Sequence, residues 1–322
     1  MLQLLDWFRT RRSTASSTRK TQRPTRLGLE ALEERKVLST ASANIHAVTD
    51  AYGHSAVFYI DPNNHAFYEV DAYHGKRMLS GAFTVQTFSA GLDANGYADA
   101  FVKAGDNSLW EWRESGGWRK VLGANLFGDF AAVKGERAYI EMSNGALDVF
   151  RGSHPWWLPS FWQLSGPGSV QTLDAVTDSL GYDAVFAIRG DHSFQELYQG
   201  SWHLLSGAYT IQTGFSAGTD TAGNADVYGV AGDNSFWKWD NGWARLANAG
   251  VVSQFSATNN GQCWYLAPGG SLNKFDGSNA VHNVYNGSFT QVSAAASNDV
   301  YVVNWDKTLW ERTGGGVWHK IN

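Results

Sequence analysis

The sequence GDNSLWEW at residues 105–112 returns as GDNSFWKW at residues 232–239, with six of the eight positions identical. A catalytic motif is normally needed once, so a repeated Trp-rich phrase indicates a building block of the fold or a binding site in several copies. With the phrase as a template, seven related segments are found, beginning at Asn64, Asp106, Asn144, Asp191, Asp233, Gly269 and Asp306. The steps between them are 42, 38, 47, 42, 36 and 37 residues.

Each repeat predicts four short strands joined by tight turns. An Asp-x-x-Gly turn separates the first two strands in four repeats, at Asp50/Gly53, Asp93/Gly96, Asp178/Gly181 and Asp220/Gly223. The second strand carries an aromatic residue in every repeat: Phe58, Phe101, Tyr139, Phe186, Tyr228, Tyr265 and Tyr301. The third strand begins with Phe67, Leu109, Leu147, Phe194, Phe236, Leu272 and Leu309. The fourth strand carries Trp118, Trp162, Trp202, Trp243 or Trp318.

A period near 40 residues with four strands per repeat is typical of a propeller blade. A four-stranded sheet cannot bury both faces alone, whereas sheets arranged radially cover each other. We therefore predict an all-β fold over residues 42–322, a seven-bladed β-propeller of four-stranded antiparallel blades. All seven repeats look complete, so closure of the ring does not require a strand borrowed across the termini.

The composition agrees with a folded all-β domain and limits its partners. The 322 residues are 43% hydrophobic and include 35 Gly and 15 Trp. Residues 1–36 hold nine Lys/Arg and four Asp/Glu, which leaves 16 basic (25 − 9) and 26 acidic (30 − 4) residues beyond them. This acidic remainder argues against a nucleic-acid partner, because phosphate binding needs a positive surface. The single cysteine, Cys263, has no disulfide partner in the chain, and we predict that it is a buried strand residue.

The N-terminal segment, residues 1–41, differs from the rest because it is basic and rich in Ser and Thr. We predict that it is disordered and not part of the propeller, and the run Leu4–Phe8 is too short to span a membrane. Within it, RLGLEALEERKVLS (Arg26–Ser39) resembles the export segment R-L-x-L-E-x-L-E-x-R-x-L-S of many planctomycete extracellular proteins. This resemblance implies export, and hence an extracellular or cell-surface location.

Not every column is uniform, and the exceptions point to candidate binding residues. The residue after the third-strand Leu or Phe reads Tyr68, Trp110, Asp148, Gln195, Trp237, Asn273 and Trp310. One interpretation is packing drift between degenerate repeats. The other is that some blades keep an aromatic platform that others have lost. Such a platform suits a sugar, whose C–H face lies on an indole while its hydroxyls need fixed polar partners. Glu111 and Glu311, next to the platform, are candidates for those partners.

The repeat also resembles those of tectonin-type and related seven-bladed bacterial and fungal lectin propellers, over residues 42–322. That resemblance implies sugar binding between blades or on one rim. At the matching positions, Trp110, Trp237 and Trp310 are the candidates, together with Tyr68 and the fourth-strand Trp118, Trp243 and Trp318. Repeats 3 and 6 lack the third-strand Trp, which puts a site there in doubt.

The longest step between repeats contains RGSHPWWLPSFW at residues 151–162. Its two prolines oppose regular strand pairing. The loop either caps the propeller or presents Trp156 and Trp157 to a ligand or partner.

No catalytic residue, metal ligand or cofactor is predicted. The sequence has no H-E-x-x-H, nucleophile-elbow or phosphate-loop motif. GDNS occurs twice at turn positions, which favours a structural role for its Ser. We therefore expect a non-catalytic protein that binds glycans or polysaccharide. The alternative is an adhesion or scaffold propeller that binds an extracellular or surface protein, and an enzyme is the least favoured reading.

Overall fold

The computed structural model describes residues 44–152, 160–295 and 299–321, apart from the side chain of Thr213. The predicted N-terminal segment and the boundary at residue 42 lie outside these ranges. Within them, no helix has the length and apolar character that a bilayer crossing requires. The described chain forms 28 strands: β1 (Ile45–Thr49), β2 (Ser55–Ile60), β3 (Phe67–Asp71), β4 (Gly75–Ser80), β5 (Val85–Leu92), β6 (Ala98–Ala104), β7 (Leu109–Arg113), β8 (Gly117–Leu122), β9 (Phe127–Val133), β10 (Arg137–Met142), β11 (Leu147–Arg151), β12 (Phe161–Ser165), β13 (Val170–Thr177), β14 (Asp183–Arg189), β15 (Phe194–Tyr198), β16 (Ser201–Ser206), β17 (Ile211–Thr219), β18 (Ala225–Ala231), β19 (Phe236–Trp239), β20 (Trp243–Ala247), β21 (Gln254–Ala257), β22 (Cys263–Leu266), β23 (Leu272–Phe275), β24 (Val281–Tyr285), β25 (Phe289–Ala294), β26 (Val300–Asn304), β27 (Leu309–Arg312) and β28 (Trp318–Lys320).

The strands form seven antiparallel sheets of four, each made of consecutive strands. This confirms the seven-bladed β-propeller. No blade borrows a strand from another repeat, so the first and last blades close the ring by packing face to face. Ile45 and Tyr59 of blade 1 share a hydrophobic cluster with Tyr301 and Leu309 of blade 7.

The predicted core columns are buried at the seams between blades. All seven third-strand residues have side chains that are at most 1% exposed. The aromatic second-strand column is also buried, but blade 6 differs by one residue. Trp264 pairs with Ser256 there, as Tyr228 pairs with Ser216 in blade 5, so Trp264 and not Tyr265 occupies the column. Cys263 is buried in β22, as predicted.

The fourth strand of blade 3 also departs from the prediction. Phe161 pairs with Phe150 at the position where Trp118 pairs with Trp112 in blade 2. Trp162 is therefore shifted by one residue from the fourth-strand Trp column. The shift turns Trp162 to the opposite face of the sheet, where it packs into the seam with blade 4, while Phe161 packs into the seam with blade 2.

The Asp-x-x-Gly turns form as expected. In the first, Asp50 Oδ1 accepts the backbone N–H groups of Tyr52 and His54, each at 2.8 Å. Gly53 has a φ of 86° and its N–H donates to the Asp50 carbonyl at 3.1 Å. The left-handed backbone explains the Gly, since other residues are strained at positive φ.

A closed circle of side-chain-to-backbone hydrogen bonds joins the innermost strands. At each seam, a side chain of one blade accepts an N–H of the next, and this holds for the described parts of all seven blades. The pairs are His46 with Ala90, Ser89 with Ala132, Asp129 with Leu173, Asp174 with Ala217, Ser216 with Ala257, Ser256 with Ala294, and Ser293 with Ala47, at 2.8–3.2 Å. In blade 3, Ala131 stands in the acceptor column, and Asp129 replaces it from two residues earlier.

Removal of one acceptor should destabilise the whole domain. We expect Ser216→Ala to lower the free energy of unfolding by about 1 kcal/mol, because it leaves the half-buried Ala257 N–H without its partner. Urea unfolding monitored by Trp fluorescence measures the loss. The exposed Ser201→Ala is the control, and equal stability of the two variants would contradict a role for the circle.

The circle also predicts a pH dependence at His46. Burial lowers the pKa of His46 to about 4 from its ordinary 6.5, and the neutral ring accepts the Ala90 N–H. The unfolded chain takes up this proton first as the pH falls, so the stability contributed is complete above pH 6.5 and is lost toward pH 4. This stability is therefore specific to the blade that carries His46.

Four other blades use Ser at this position. We expect the His46→Ser variant to be more stable than the wild type at pH 4.5, by up to about 3 kcal/mol, and equally stable at pH 7.5. Parallel urea titrations at both pH values measure the difference, and identical pH profiles would contradict it.

Candidate functional site

The repeated phrase encodes a clamp on the third-strand Trp. In blade 2, Asp106 Oδ1 accepts the N–H of Ser108 at 2.9 Å, and the Ser108 hydroxyl also donates to it. The Trp110 Nε1–H then donates to Ser108 Oγ at 2.7 Å. Asn107 has a φ of 62°, a left-handed conformation that Asn adopts more readily than most residues. The turn therefore fixes the orientation of the indole.

The same clamp recurs in two other blades. In blade 5, Trp237 Nε1–H donates to Ser235 Oγ at 2.6 Å, and Ser235 is held by Asp233. In blade 7, Trp310 Nε1–H donates to Thr308 Oγ1 at 2.8 Å, and Asp306 holds Thr308. All three indoles are half-buried. Because each is the second residue of a third strand, all three lie at the same end of their blades.

Other blades show that the fold does not need a Trp in this column. In blade 4, the amide of Gln195 donates to Ser193 Oγ at 2.8 Å, so it replaces the indole N–H in the same clamp. In blade 1, Tyr68 accepts a hydrogen bond from Asn64 at 3.0 Å. Blade 6 has Asn273, whose amide donates to a backbone carbonyl. The rings of blades 2, 5 and 7 are thus additions to a turn that forms without them.

The fourth-strand Trp residues fill the seams between blades. Trp118 Nε1–H donates to the Leu79 carbonyl of the preceding blade at 3.1 Å, and Trp243 Nε1–H donates to the Leu205 carbonyl at 2.8 Å. Trp318 stacks on Phe289, with ring centres 5.5 Å apart. These side chains wedge neighbouring blades together. They lie on the same face of the sheet as the third-strand indoles, since Trp118 pairs with Trp112, which follows Trp110 by two residues. Their role in ligand binding stays a prediction.

The predicted acidic partners lie on the other face of the sheet. Successive residues of a strand point to opposite faces, so Glu111 points away from Trp110. Glu111 is fully buried and accepts from Arg119 Nε at 2.7 Å. Burial raises the pKa of Glu111, while Arg119 opposes the shift. Glu311 accepts the hydroxyl of Tyr301 at 2.9 Å. The structure therefore does not bring Glu111 or Glu311 together with the Trp platforms.

Three basic residues beside the indoles were not predicted from the sequence as candidate site residues. Lys120, Arg245 and Lys320 stand directly across the strand pair from Trp110, Trp237 and Trp310. All three are exposed. The available signal was their position two residues after the fourth-strand Trp, which becomes meaningful only when the strand register is known.

Two further features of the described residues resemble ligand sites. The inner strands enclose a central channel of about 600 Å³. Asp71, His74 and Glu114 lie close enough together to hold a metal ion. However, the Arg77 guanidinium already hydrogen-bonds Glu114 and lies 4.0 Å from Asp71, so the charges of both carboxylates are partly neutralised. The predicted Trp156 and Trp157 lie outside the described residues.

Comparison with known proteins supports the fold. No family model matches the sequence, and no curated protein matches it. The chain is similar in structure to the BP39L lectin from Burkholderia pseudomallei, with a TM-score of 0.64 and 16% identity over 88% of this chain and 99% of that one. It is also similar to Prp20p from Saccharomyces cerevisiae, with a TM-score of 0.57 and 10% identity over 89% and 88% of the two chains. A puromycin hydrolase gives a TM-score of 0.55 and 10% identity over 89% of this chain and 54% of that one.

At these identities the similarity establishes the fold alone. One neighbour is a lectin, another was studied for binding to Gsp1p and histones, and a third is a hydrolase. Proteins of similar fold therefore serve several functions, and the function of this chain has to be argued from its own site.

Proposed function

We propose that the protein is a non-catalytic, carbohydrate-binding propeller with three equivalent sites, at Trp110, Trp237 and Trp310. The observation that carries this proposal is the repeated clamp. Three partly exposed indoles are held in one orientation by the same hydrogen bonds, although Gln195 shows that a smaller side chain satisfies the turn. The similarity to a bacterial lectin supports the same class of ligand.

The clamp selects a particular kind of contact. Because the indole N–H is already bonded within the turn, the ligand meets the face and edge of the ring. The C–H face of a pyranose is complementary to such a surface. One site of this kind binds weakly. Three sites at the same end of a rigid ring can engage one glycan-coated surface together, which raises the overall avidity. An exported, extracellular or surface-attached protein would meet such ligands, and that location is part of the proposal.

Replacement of the rings should abolish sugar binding without damage to the fold. We expect Trp110→Gln, Trp237→Gln and Trp310→Gln together to remove binding on a glycan array, and each single change to weaken its own site roughly tenfold. Gln is the matched replacement because blade 4 uses it naturally with the clamp intact. Circular dichroism and the melting temperature report the fold.

Tyr182→Gln is the control for the loss of an exposed aromatic side chain. Tyr182 is 49% exposed and follows a first strand, at the opposite end of the blades. Sugar binding that survives the triple Gln variant would rule out these sites, and failure of the wild type to bind any glycan would rule out the function.

One observation favours the alternative of a protein-binding propeller. Phe83 and Tyr209 adopt positive φ values of 58° and 63° and are 73% and 58% exposed. Glycine stands at the equivalent link after blades 3 and 5, as Gly168 and Gly250. A bulky residue at positive φ costs free energy. Phe83 stacks on His65 and Tyr209 stacks on His192, and the rest of each ring surface is open to solvent. These aromatic side chains are therefore suited to a partner surface. Loss of a partner in Phe83→Asn and Tyr209→Asn, with sugar binding absent from the wild type, would favour this alternative.

A further inference from the structure

The strand register pairs each Trp that the clamp holds with a basic residue. Trp110 lies opposite Lys120, Trp237 opposite Arg245, and Trp310 opposite Lys320. In the other four blades the same two positions hold Tyr68 and Met78, Asp148 and Gln163, Gln195 and Leu204, and Asn273 and Asn283. Across the seven blades, a basic residue is present where the Trp is present and absent where it is absent. The two positions therefore vary together across the blades.

Opposed residues of an antiparallel pair place their side chains on the same face, with Cβ atoms about 5 Å apart. In blade 2, the Lys120 ammonium lies 5.7 Å from the centre of the Trp110 ring. The basic side chains are exposed and sit on the outermost strand. Each can therefore reach a ligand that lies along the indole.

The Asp of the clamp completes the group. Hydrogen bonds from Ser108 lower the pKa of Asp106, and the nearby Lys120 lowers it further. Asp233 and Asp306 show the same pattern, with Arg245 and Lys320 as the nearby cations. These carboxylates are thus charged at neutral pH. In the described part of the chain, none of the three Asp residues comes within 4.0 Å of its cation to form an ion pair. Each site presents a separate anionic acceptor and a separate cationic donor beside an indole.

We propose that the three groups Asp106–Trp110–Lys120, Asp233–Trp237–Arg245 and Asp306–Trp310–Lys320 each bind an uncharged pyranose through two adjacent hydroxyls. One hydroxyl donates to the carboxylate, the next accepts from the cation, and the C–H face of the ring lies on the indole. This inference rests on the proposed function and specifies its ligand. An acidic sugar is disfavoured, because its carboxylate would lie near the Asp of the clamp and approach a net acidic propeller.

Blade 4 is a natural, incomplete copy of this site. Asp191 and Ser193 form the clamp with the same geometry, and only the Trp and the base are missing. Leu204 is 65% exposed, so a Lys fits there without burial of its charge. The combination Gln195→Trp with Leu204→Lys should therefore build a fourth site.

The test is titration calorimetry of the whole protein with methyl α-glucopyranoside, methyl α-mannopyranoside, methyl β-galactopyranoside and methyl β-glucuronide. We expect three sites per chain for at least one neutral glycoside, weaker binding of the glucuronide, and four sites after Gln195→Trp/Leu204→Lys. Met is the matched replacement for the base because blade 1 uses Met78. Lys120→Met, Arg245→Met and Lys320→Met should each weaken their own site about tenfold or more, whereas Lys120→Arg should retain binding.

The possible failures are distinguishable. Binding that is lost in the Trp→Gln variants but unchanged in the three Met variants would overturn the role of the bases and leave the proposed function intact. Tighter binding of the glucuronide than of the neutral glycosides would overturn the ligand class. Absence of binding to every glycoside and glycan by the wild type would overturn the proposed function and this inference together. If the blade 4 variant does not fold, the Met series still decides.

Discussion

The structure depends on the circle of hydrogen bonds that joins the innermost strands of neighbouring blades. Each four-stranded sheet has two apolar faces, and both are buried only if the seventh sheet meets the first. The Ser293 hydroxyl accepts the Ala47 N–H at that junction, as the Ser, Asp and His side chains do elsewhere. These bonds set the position of each inner strand against the next, because a shift would leave a buried N–H without a partner. Large rings such as Phe67 and Phe236 then pack between blades whose position is already fixed.

A ring fixed near its axis leaves the outer positions free to vary. The seam columns are filled in every blade, since an empty seam would open the ring. The position after the third-strand Leu or Phe is different, and it holds Asp148, Gln195 or Asn273 as readily as Trp. Folding does not require one residue type at this position, so the presence of Trp in three blades points to a binding role. The same reasoning applies to Phe83 and Tyr209, which stand where Gly168 and Gly250 satisfy the backbone better.

Much of the fold could be predicted from the sequence because seven repeats average out the ambiguity of any single one. The number of blades, the four strands, the Asp-x-x-Gly turns and the buried columns all follow from recurrence. The strand register was predicted wrongly in two blades. Trp162 and Tyr265 were each placed one residue from the position that Phe161 and Trp264 occupy, since spacing alone does not show where a strand is paired.

The candidate site was harder to predict for a related reason. Adjacency in sequence suggested Glu111 as the polar partner of Trp110, whereas the pleat of the strand sends the two to opposite faces. The residue that does face Trp110 is Lys120, ten positions away, and only the hairpin pairing brings it there. The circle of inner hydrogen bonds was missed as well. A small polar residue before Ala in an apolar strand resembles ordinary variation until its partner in the next blade is known.

The clamp explains why one phrase can serve both fold and function. Asp106 and Ser108 satisfy a tight turn, as Asp191 and Ser193 do in blade 4, where no ring is present. The turn therefore comes first, and a Trp placed on it inherits a fixed orientation. A fixed indole loses little conformational freedom when a ligand binds, so a small contact yields more of its interaction energy as affinity. The Asp-Asn-Ser turn alone therefore explains why the phrase recurs along the chain. A blade that keeps the turn is already prepared for a site, and three of the seven blades carry the ring and the base that would complete it.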